Sequence, residues 1–211
     1  MTVSAAQLRR NSAQFCAILS RSPATLVRRA FRRAPSPSRA GEPDRDFFPG
    51  SGAIKEGSDA ANVVLDVPIT PLWTRARRDA PNRGREGFRH AVQTALCPRI
   101  TAFKPDLLLF SAGFDGADGD DGNAQDDVQG LDLTANDFEW ATAKLCAAAK
   151  CPTVSVLEGG YGAWSKEEGK FERASLAACC MGHALALARY AGGEVQPPSV
   201  AALATWPLIS A

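Results

Sequence analysis

Short apolar runs alternate with helical patterns along the chain. Residues 63–69, 106–111 and 153–157 are rich in leucine and β-branched residues, and a turn or a glycine cluster follows each of them, which is typical of buried strands. Helical patterns lie between and after these runs. The alternation of strand and helix predicts an α/β fold with a parallel sheet.

The first helical pattern covers about residues 84–96. Phe88, Val92 and Ala95 recur at helical spacing and are expected to face the core. Pro98 is expected to stop or kink this helix, because proline lacks the amide hydrogen that an inner helical turn needs.

Two further helices follow. Thr134 and Asp137 form a capping-box-like pair, which predicts that a helix begins there. Its apolar side chains repeat every three or four residues: Phe138, Ala141, Leu145 and Ala148. A third helix is predicted over about residues 171–190. Four side chains share its apolar side: Leu176, Cys180, His183 and Leu187.

Function is expected in the turns after the second and third strands. In a parallel sheet, the loops at the carboxyl ends of the strands gather at one edge, and ligands bind there. The loops over residues 112–131 and 158–164 therefore hold the candidate functional residues.

Length and composition agree with one soluble globular domain or a piece of a larger one. The chain has 211 residues, of which 45% are hydrophobic and 22% are charged, and these values are average for a chain with a packed core. The longest uncharged helix-like run, residues 174–188, is shorter than the roughly 20 residues that a membrane span needs. No membrane association is expected.

The charge differs between the two ends of the chain. Residues 1–41 contain eight arginines and no acidic residue, whereas residues 42–211 contain 16 basic and 23 acidic residues. We expect a basic, disordered leader and linker over residues 1–45, a domain over 46–192 and a tail over 193–211. The leader has the composition of an organelle transit peptide, although a solvated basic tail or mistranslated upstream sequence would have the same composition. Nucleic-acid binding is not expected, since no binding motif accompanies the arginines.

The cysteines and histidines do not form a zinc finger. The six cysteines contain no Cys-x-x-Cys pair, and His90 and His183 are the only histidines. The cysteines are expected to be buried thiols of a reducing compartment. We expect His90 at the surface and His183 in the core rather than as a metal ligand.

The first candidate loop is acidic. Its carboxylates are Asp115, Asp118, Asp120, Asp121, Asp126 and Asp127. They would repel phosphate, the glycines do not follow the dinucleotide-binding pattern, and the ligand order of an EF-hand is absent. Residues 118–127 are expected to form a solvated acidic turn. Asp115 lies closer to the strand end, where its carboxylate can point at a fixed site.

The second candidate loop combines two glycines with a tyrosine. Gly159 and Gly160 allow a tight turn and a close approach of the backbone to a ligand. Tyr161 presents a hydroxyl that can donate to a developing oxyanion. A Gly-Gly-aromatic turn alone is weak evidence, but together with Asp115 it suggests a shared site.

Several stretches resemble the C-terminal half of the zinc-dependent histone deacetylases, above all the class II-like branch and the acetylpolyamine amidohydrolases. The stretches are PDLLLFSAGFDG (105–116), GLDLTANDFEW (130–140) and VSVLEGGYG (154–162), with support from FFPGSG (47–52), NVVLDVPI (62–69) and DGN (121–123). The resemblance implies a three-layer α/β fold of the arginase/deacetylase type, here without its N-terminal part. It also implies a nuclear or cytoplasmic location, beside the organelle that the leader suggests.

The resemblance further implies hydrolysis of N-acetyl-lysine or a similar acetyl amide with Zn²⁺ as cofactor. Asp115 matches one of three protein ligands of zinc, and Tyr161 matches the residue that hydrogen-bonds the oxyanion. Gly159 and Gly160 match residues that shape the substrate wall. The implied substrates are an acetylated lysine protein such as a histone tail, or a small acetylated amine.

One departure from the family pattern limits these implications. Family members carry an Asp-x-His pair for the metal and a His-His pair for acid/base chemistry, and this sequence contains neither. One carboxylate does not hold catalytic zinc, because such sites use three protein ligands. The chain is therefore expected to be inactive alone. It could be the C-terminal part of a deacetylase, an inactive binding module completed by a protein partner, or a fragment from a truncated gene model.

Overall fold

The structure is a computed structural model, and it describes part of the chain. The described residues are 15–20, 31–33, 67–70, 72, 83–121, 124–125 and 128–192. The FFPGSG stretch, most of the predicted linker, residues 122–123 of the DGN stretch and the predicted tail lie outside these residues. The division of the chain at residues 45 and 192 therefore stays a prediction.

The main sheet has three strands in the order β1, β4 and β7. They span Phe15–Ser20, Leu107–Ala112 and Thr153–Leu157. Strands β4 and β7 run parallel, with Leu108 opposite Thr153 and Ala112 opposite Leu157. Strand β1 pairs antiparallel on the other side of β4. The predicted strands at 106–111 and 153–157 are thus found, within one residue at each end.

The remaining described strands form three two-stranded sheets. Strands β2 and β3 pair in parallel, whereas β5 with β6 and β8 with β9 pair antiparallel. Their bounds are Phe31–Arg33, Val67–Ile69, Ala124–Gln125, Val128–Gln129, Ala163–Ser165 and Lys170–Glu172. Only the end of the strand predicted at 63–69 lies within the described residues, as β3. Strands β1 and β2 lie inside the predicted leader.

The first predicted helix is longer than expected. Helix α1, Gly84–Ala91, continues through a π-helical segment, Val92–Leu96, into α2, Cys97–Phe103. Pro98 was expected to stop or kink this helix. The helix does not stop there, because Pro98 lies in the first turn of α2, where a missing amide hydrogen is tolerated. The departure from α-helical geometry is the π-helical segment that directly precedes α2. The wider π turn also changes which side chain is buried.

Phe88 and Val92 are fully buried, as predicted. The third predicted position differs, since Leu96 is 5% exposed while Ala95 is only half-buried. A π segment has i→i+5 hydrogen bonds, so it shifts the inward face by one position relative to an α-helix.

Two long helices cover one side of the parallel strands. They are α3, Ala135–Ala149, and α4, Ala174–Tyr190. The two helices approach closely at Gly182, where a Cβ would lie 2.5 Å from the carbonyl oxygen of Ala135.

Helix α4 corresponds to the third predicted helix. It begins three residues later than expected, at Ala174, because Phe171 belongs to strand β9.

The capping box predicted for α3 is confirmed. The amide of Thr134 donates to Oδ2 of Asp137 at 2.8 Å. The carboxylate of Asp137 is fully buried and also pairs with Arg85 at 2.9 Å and Arg89 at 2.7 Å. This one side chain both caps α3 and holds α1 against it.

The core lies between the helices and the sheet. Its largest fully buried apolar side chains are Phe88, Phe110, Phe114, Phe138, Leu108, Leu133 and Leu145. The strand at 153–157 was expected to be buried, and this is wrong: Val154, Val156 and Leu157 are 49%, 61% and 63% exposed. The half-buried Ser155 contacts His183 on α4.

The cysteines whose side chains the structure describes are partly as predicted. Cys146 and Cys179 are buried, whereas Cys97, Cys151 and Cys180 are half-buried, and these five are free thiols. Burial raises the pKa of Cys146 to about 11 and that of Cys179 to about 12, so both stay protonated at neutral pH. Among the described helices, none has the length and apolarity to cross a bilayer.

Candidate functional site

The two candidate loops lie side by side, as the parallel sheet requires. Ala112 ends β4 directly opposite Leu157 at the end of β7. The pairing continues beyond the strands, since the amide of Glu158 donates to the carbonyl of Ala112 at 2.9 Å. The amide of Phe114 then donates to the carbonyl of Gly159 at 3.2 Å. The backbone thus joins the acidic loop to the Gly-Gly-Tyr turn.

Asp115 lies against this turn. Its side chain is 4% exposed, and a Cβ placed on Gly159 would be 2.8 Å from Oδ1 and 3.4 Å from Oδ2. Gly159 has a φ of +107°, which a residue with a side chain rarely adopts. Glycine is needed at this position both for its backbone conformation and for the space that the carboxylate of Asp115 occupies.

The glycines on both sides of Tyr161 are packed as tightly as Gly159. A Cβ on Gly160 would lie 2.7 Å from Cδ1 of Leu176 and 3.0 Å from Cβ of Phe114. A Cβ on Gly162 would lie 2.2 Å from the carbonyl oxygen of Glu172. Tyr161 itself is half-buried. The positions on both sides of Tyr161 therefore have no room for a side chain larger than that of glycine.

Asp120 is buried, contrary to the expectation that residues 118–127 form a solvated acidic turn. It is 1% exposed, and Oδ2 accepts hydrogen bonds from the amides of Tyr161 at 2.8 Å and Gly162 at 2.7 Å. Asp118 is exposed as predicted, and Asp126 and Asp127 lie outside the described residues. No local pattern in the sequence distinguishes Asp120 from its acidic neighbours, because its hydrogen-bond partners are more than 40 residues away.

A second side-chain contact joins the two loops where they leave strands β4 and β7. The hydroxyl of Ser111 donates to Oε2 of Glu158. Ser111 lies on β4 and Glu158 directly follows β7, so this bond lies at the carboxyl ends of the parallel strands. Sequence analysis did not single out Glu158 as a functional residue.

His183 is held in the core by two hydroxyl groups. Nδ1 lies 2.6 Å from the hydroxyl of Thr142, and Nε2 lies 2.8 Å from that of Ser155. The Thr142 hydroxyl donates its hydrogen to the carbonyl of Phe138 at 2.7 Å, so it accepts from the imidazole. In the neutral ring, the hydrogen is therefore on Nδ1, and Nε2 accepts from Ser155.

The surroundings of His183 explain why it stays neutral. The side chain is 5% exposed, and its ring lies edge-on to those of Phe110 and Phe114. Burial lowers the pKa of His183 from 6.5 to about 4. The prediction of a core histidine is confirmed, and so is that of an exposed His90 on α1.

The described residues do not fit a zinc site by themselves. No group of three His, Cys, Asp or Glu side chains among them could hold a metal ion. Neither histidine of the chain is available, because His183 uses both ring nitrogens in the core and His90 points to solvent from α1. Asp115 is thus the single family-matched ligand in this chain.

Comparison with known proteins identifies the family. Residues 41–172 match the Histone deacetylase domain, and this match covers more than half of the chain. The chain therefore belongs to the histone deacetylase family, and the predicted arginase/deacetylase α/β fold class is confirmed. The parallel pair of β4 and β7, with α3 and α4 on one side, is the described part of that fold.

Two curated relatives and one solved structure illustrate the match. Type-2 histone deacetylase 2 of Dictyostelium discoideum is 32% identical over 122 residues, or 56% of this chain and 6% of the relative. Histone deacetylase 7 of Homo sapiens is 32% identical over 118 residues, or 56% of this chain and 12% of the relative. The crystal structure of the HDA15 HD domain is 25% identical with a TM-score of 0.47, covering 74% of this chain and 36% of that one. The match thus spans a small part of the curated relatives.

Proposed function

We propose that this chain supplies one half of a deacetylase site that hydrolyses N-acetyl-lysine or a similar acetyl amide. The observation that carries the proposal is the contact between the Asp115 carboxylate and Gly159, two residues from Tyr161, in a chain of the histone deacetylase family. The loops meet because β4 and β7 are parallel neighbours.

Tyr161 is the proposed oxyanion donor. Amide hydrolysis passes through a tetrahedral intermediate whose carbonyl oxygen becomes negative, and a hydroxyl held in place stabilises that charge. The close packing around Gly160 and Gly162, together with the hydrogen bonds from the Tyr161 and Gly162 amides to Asp120, holds the turn in one conformation before the substrate arrives. Such preorganisation matters because a donor that must first be ordered loses part of its effect.

Asp115 is the proposed metal ligand, and Gly159 and Gly160 form the proposed substrate wall. The absence of a Cβ at Gly159 lets the backbone lie directly on the carboxylate, so a substrate above the turn would be close to Asp115. Zinc, when bound, would polarise the acetyl carbonyl and acidify a water molecule. The other ligands and the acid/base pair must come from polypeptide outside residues 1–211, since this sequence has no Asp-x-His or His-His pair.

The proposed substrates are an acetylated lysine of a protein, such as a histone tail, or a small acetylated amine. The proposed partner is the polypeptide that carries the missing ligands, either as a separate chain or as a continuation of this one. A non-catalytic binding module is the second candidate. The engagement of His183 and the exposure of His90 favour it, because they leave this chain with no histidine for the metal.

Complementation tests the proposal. The purified chain alone is expected to bind well under one equivalent of zinc and to leave an acetyl-lysine peptide intact. Mixing it with the N-terminal part of a class II deacetylase domain, which carries the Asp-x-His and His-His pairs, should restore both zinc binding and turnover. Asp115→Ala should abolish the zinc, and Tyr161→Phe should retain it while slowing turnover about 100-fold.

The outcomes separate the two candidates. Failure of the complemented pair to deacetylate, although the two parts associate, would reject the enzyme proposal. Acetyl-peptide binding by the chain alone, unchanged in Asp115→Ala, would support the binding module instead. An unchanged rate in Tyr161→Phe would remove Tyr161 from the mechanism.

A further inference from the structure

Asp120 makes a buried contact, although it is not one of the groups proposed to touch the metal or the substrate. Its Oδ2 accepts hydrogen bonds from two successive amides, those of Tyr161 and Gly162, at 2.8 and 2.7 Å. The side chain is 1% exposed. Two hydrogen bonds from successive backbone amides to one buried oxygen tie the turn to this side chain, and removing a buried acceptor leaves both donors without their partner.

The turn needs such a contact because of its own sequence. Gly160 and Gly162 flank Tyr161 and have φ values of +99° and +84°. Glycines lose more conformational freedom on ordering than any other residue, so a turn rich in them is not rigid by local preference. The direction of the Tyr161 side chain depends on the peptide groups on either side of it, and Asp120 binds the amides of both Tyr161 and Gly162.

The same short segment carries Asp115. Two backbone hydrogen bonds connect this segment. The amide of Ala117 donates to the carbonyl oxygen of Phe114 at 2.9 Å, and the amide of Asp120 donates to the carbonyl oxygen of Ala117 at 3.1 Å. These consecutive turns hold Asp115 and Asp120 at a fixed separation. Asp115 lies against Gly159 on one side of the turn, while Asp120 binds the other side.

We propose that Asp120 is a positioning residue, which fixes Tyr161 relative to Asp115 by binding the amides of Tyr161 and Gly162. The inference rests on the proposed function for its catalytic meaning, since Tyr161 is the oxyanion donor there. Its structural content can be tested without zinc or turnover. The test therefore separates failure of this inference from failure of the proposed function.

Fluorine NMR on the full chain is the first experiment. Tyr161 and Tyr190 are the only tyrosines, so 3-fluorotyrosine labelling gives two signals that Tyr161→Phe and Tyr190→Phe assign. Tyr190 lies on α4, where its hydroxyl donates to the carbonyl of Cys151, and it serves as an internal reference. Asp120→Ala should shift or broaden the Tyr161 signal and leave the Tyr190 signal unchanged.

Amide hydrogen exchange is the second measurement. In Asp120→Ala, the amides of Tyr161 and Gly162 should exchange about tenfold faster or more, as expected for the loss of a buried hydrogen bond. Asp120→Asn keeps an acceptor oxygen and should restore part of the protection. Asp118→Ala is the matched control, because it removes an exposed carboxylate from the same loop and should change neither signal nor exchange.

Two results would overturn the inference. One is an unchanged Tyr161 signal with unchanged exchange in Asp120→Ala. The other is an equal change at both tyrosines, which would mean that Asp120 supports the fold as a whole. In the complemented assay, Asp120→Ala should lower kcat about tenfold or more with KM unchanged, and a change in KM alone would also contradict it.

Discussion

The buried histidine makes the stability of this protein depend on pH in a defined direction. His183 is neutral in the folded state, and burial lowers its pKa to about 4. In the unfolded chain it regains its ordinary pKa of 6.5. As pH falls below 6.5, the unfolded state therefore binds a proton that the folded state does not. Stability is lost until pH reaches about 4, below which both states are protonated.

The size of the effect follows from the two pKa values. Linkage gives a loss of about 2 kcal/mol in the free energy of unfolding between pH 7.5 and pH 5 from this one residue. The side chain is 5% exposed, so solvent screening reduces this value little. This loss is a large fraction of the stability of an ordinary domain.

Urea unfolding of the unmodified chain and of His183→Asn at both pH values measures the loss. His183→Asn should remove about 2 kcal/mol of the difference between the two pH values. Carboxylates contribute equally to both proteins and cancel in the comparison. A proton NMR titration of His183 in the unmodified chain tests the same point directly. A His183 pKa close to 6.5 would refute the reasoning.

Two further predictions concern contacts around the site. Gly159→Ala should lower the free energy of unfolding by about 1–3 kcal/mol in urea titrations, since the new Cβ needs a strained backbone and meets Asp115. Gly169 also has a positive φ, but a Cβ there would meet no atom within 4 Å. Gly169→Ala should therefore lower the free energy of unfolding less than Gly159→Ala, and equal losses would argue against the contact with Asp115. Asp137→Ala should cost about 2 kcal/mol by thermal or urea unfolding, because it removes the cap of α3 and its arginine pairs. Asp137→Asn retains the cap acceptor, and a loss as large as that of Asp137→Ala would assign the effect to the charge alone.

Strands β4 and β7 and helix α3 could be predicted because they depend on short-range patterns, whereas β1 of the same sheet was not predicted. The Thr134–Asp137 capping box needs only a three-residue spacing, and α3 begins where this pair predicts. The carboxyl ends of β4 and β7 could be placed together because parallel neighbours share one edge. The positions of Asp115 and Tyr161 in adjacent loops therefore followed from the sequence, while their roles in catalysis stay predictions.

The tertiary structure alone decided which polar groups are buried and what they bind. Asp120 has the same sequence surroundings as exposed Asp118, yet it is buried because amides 41 and 42 residues away donate to it. The neutral state of His183 depends on Thr142 and Ser155, which lie on other elements. Hydrophobic periodicity identifies the side of a helix or strand that faces the core. It contains no information about long-range hydrogen bonds, since those form only when distant segments are packed together.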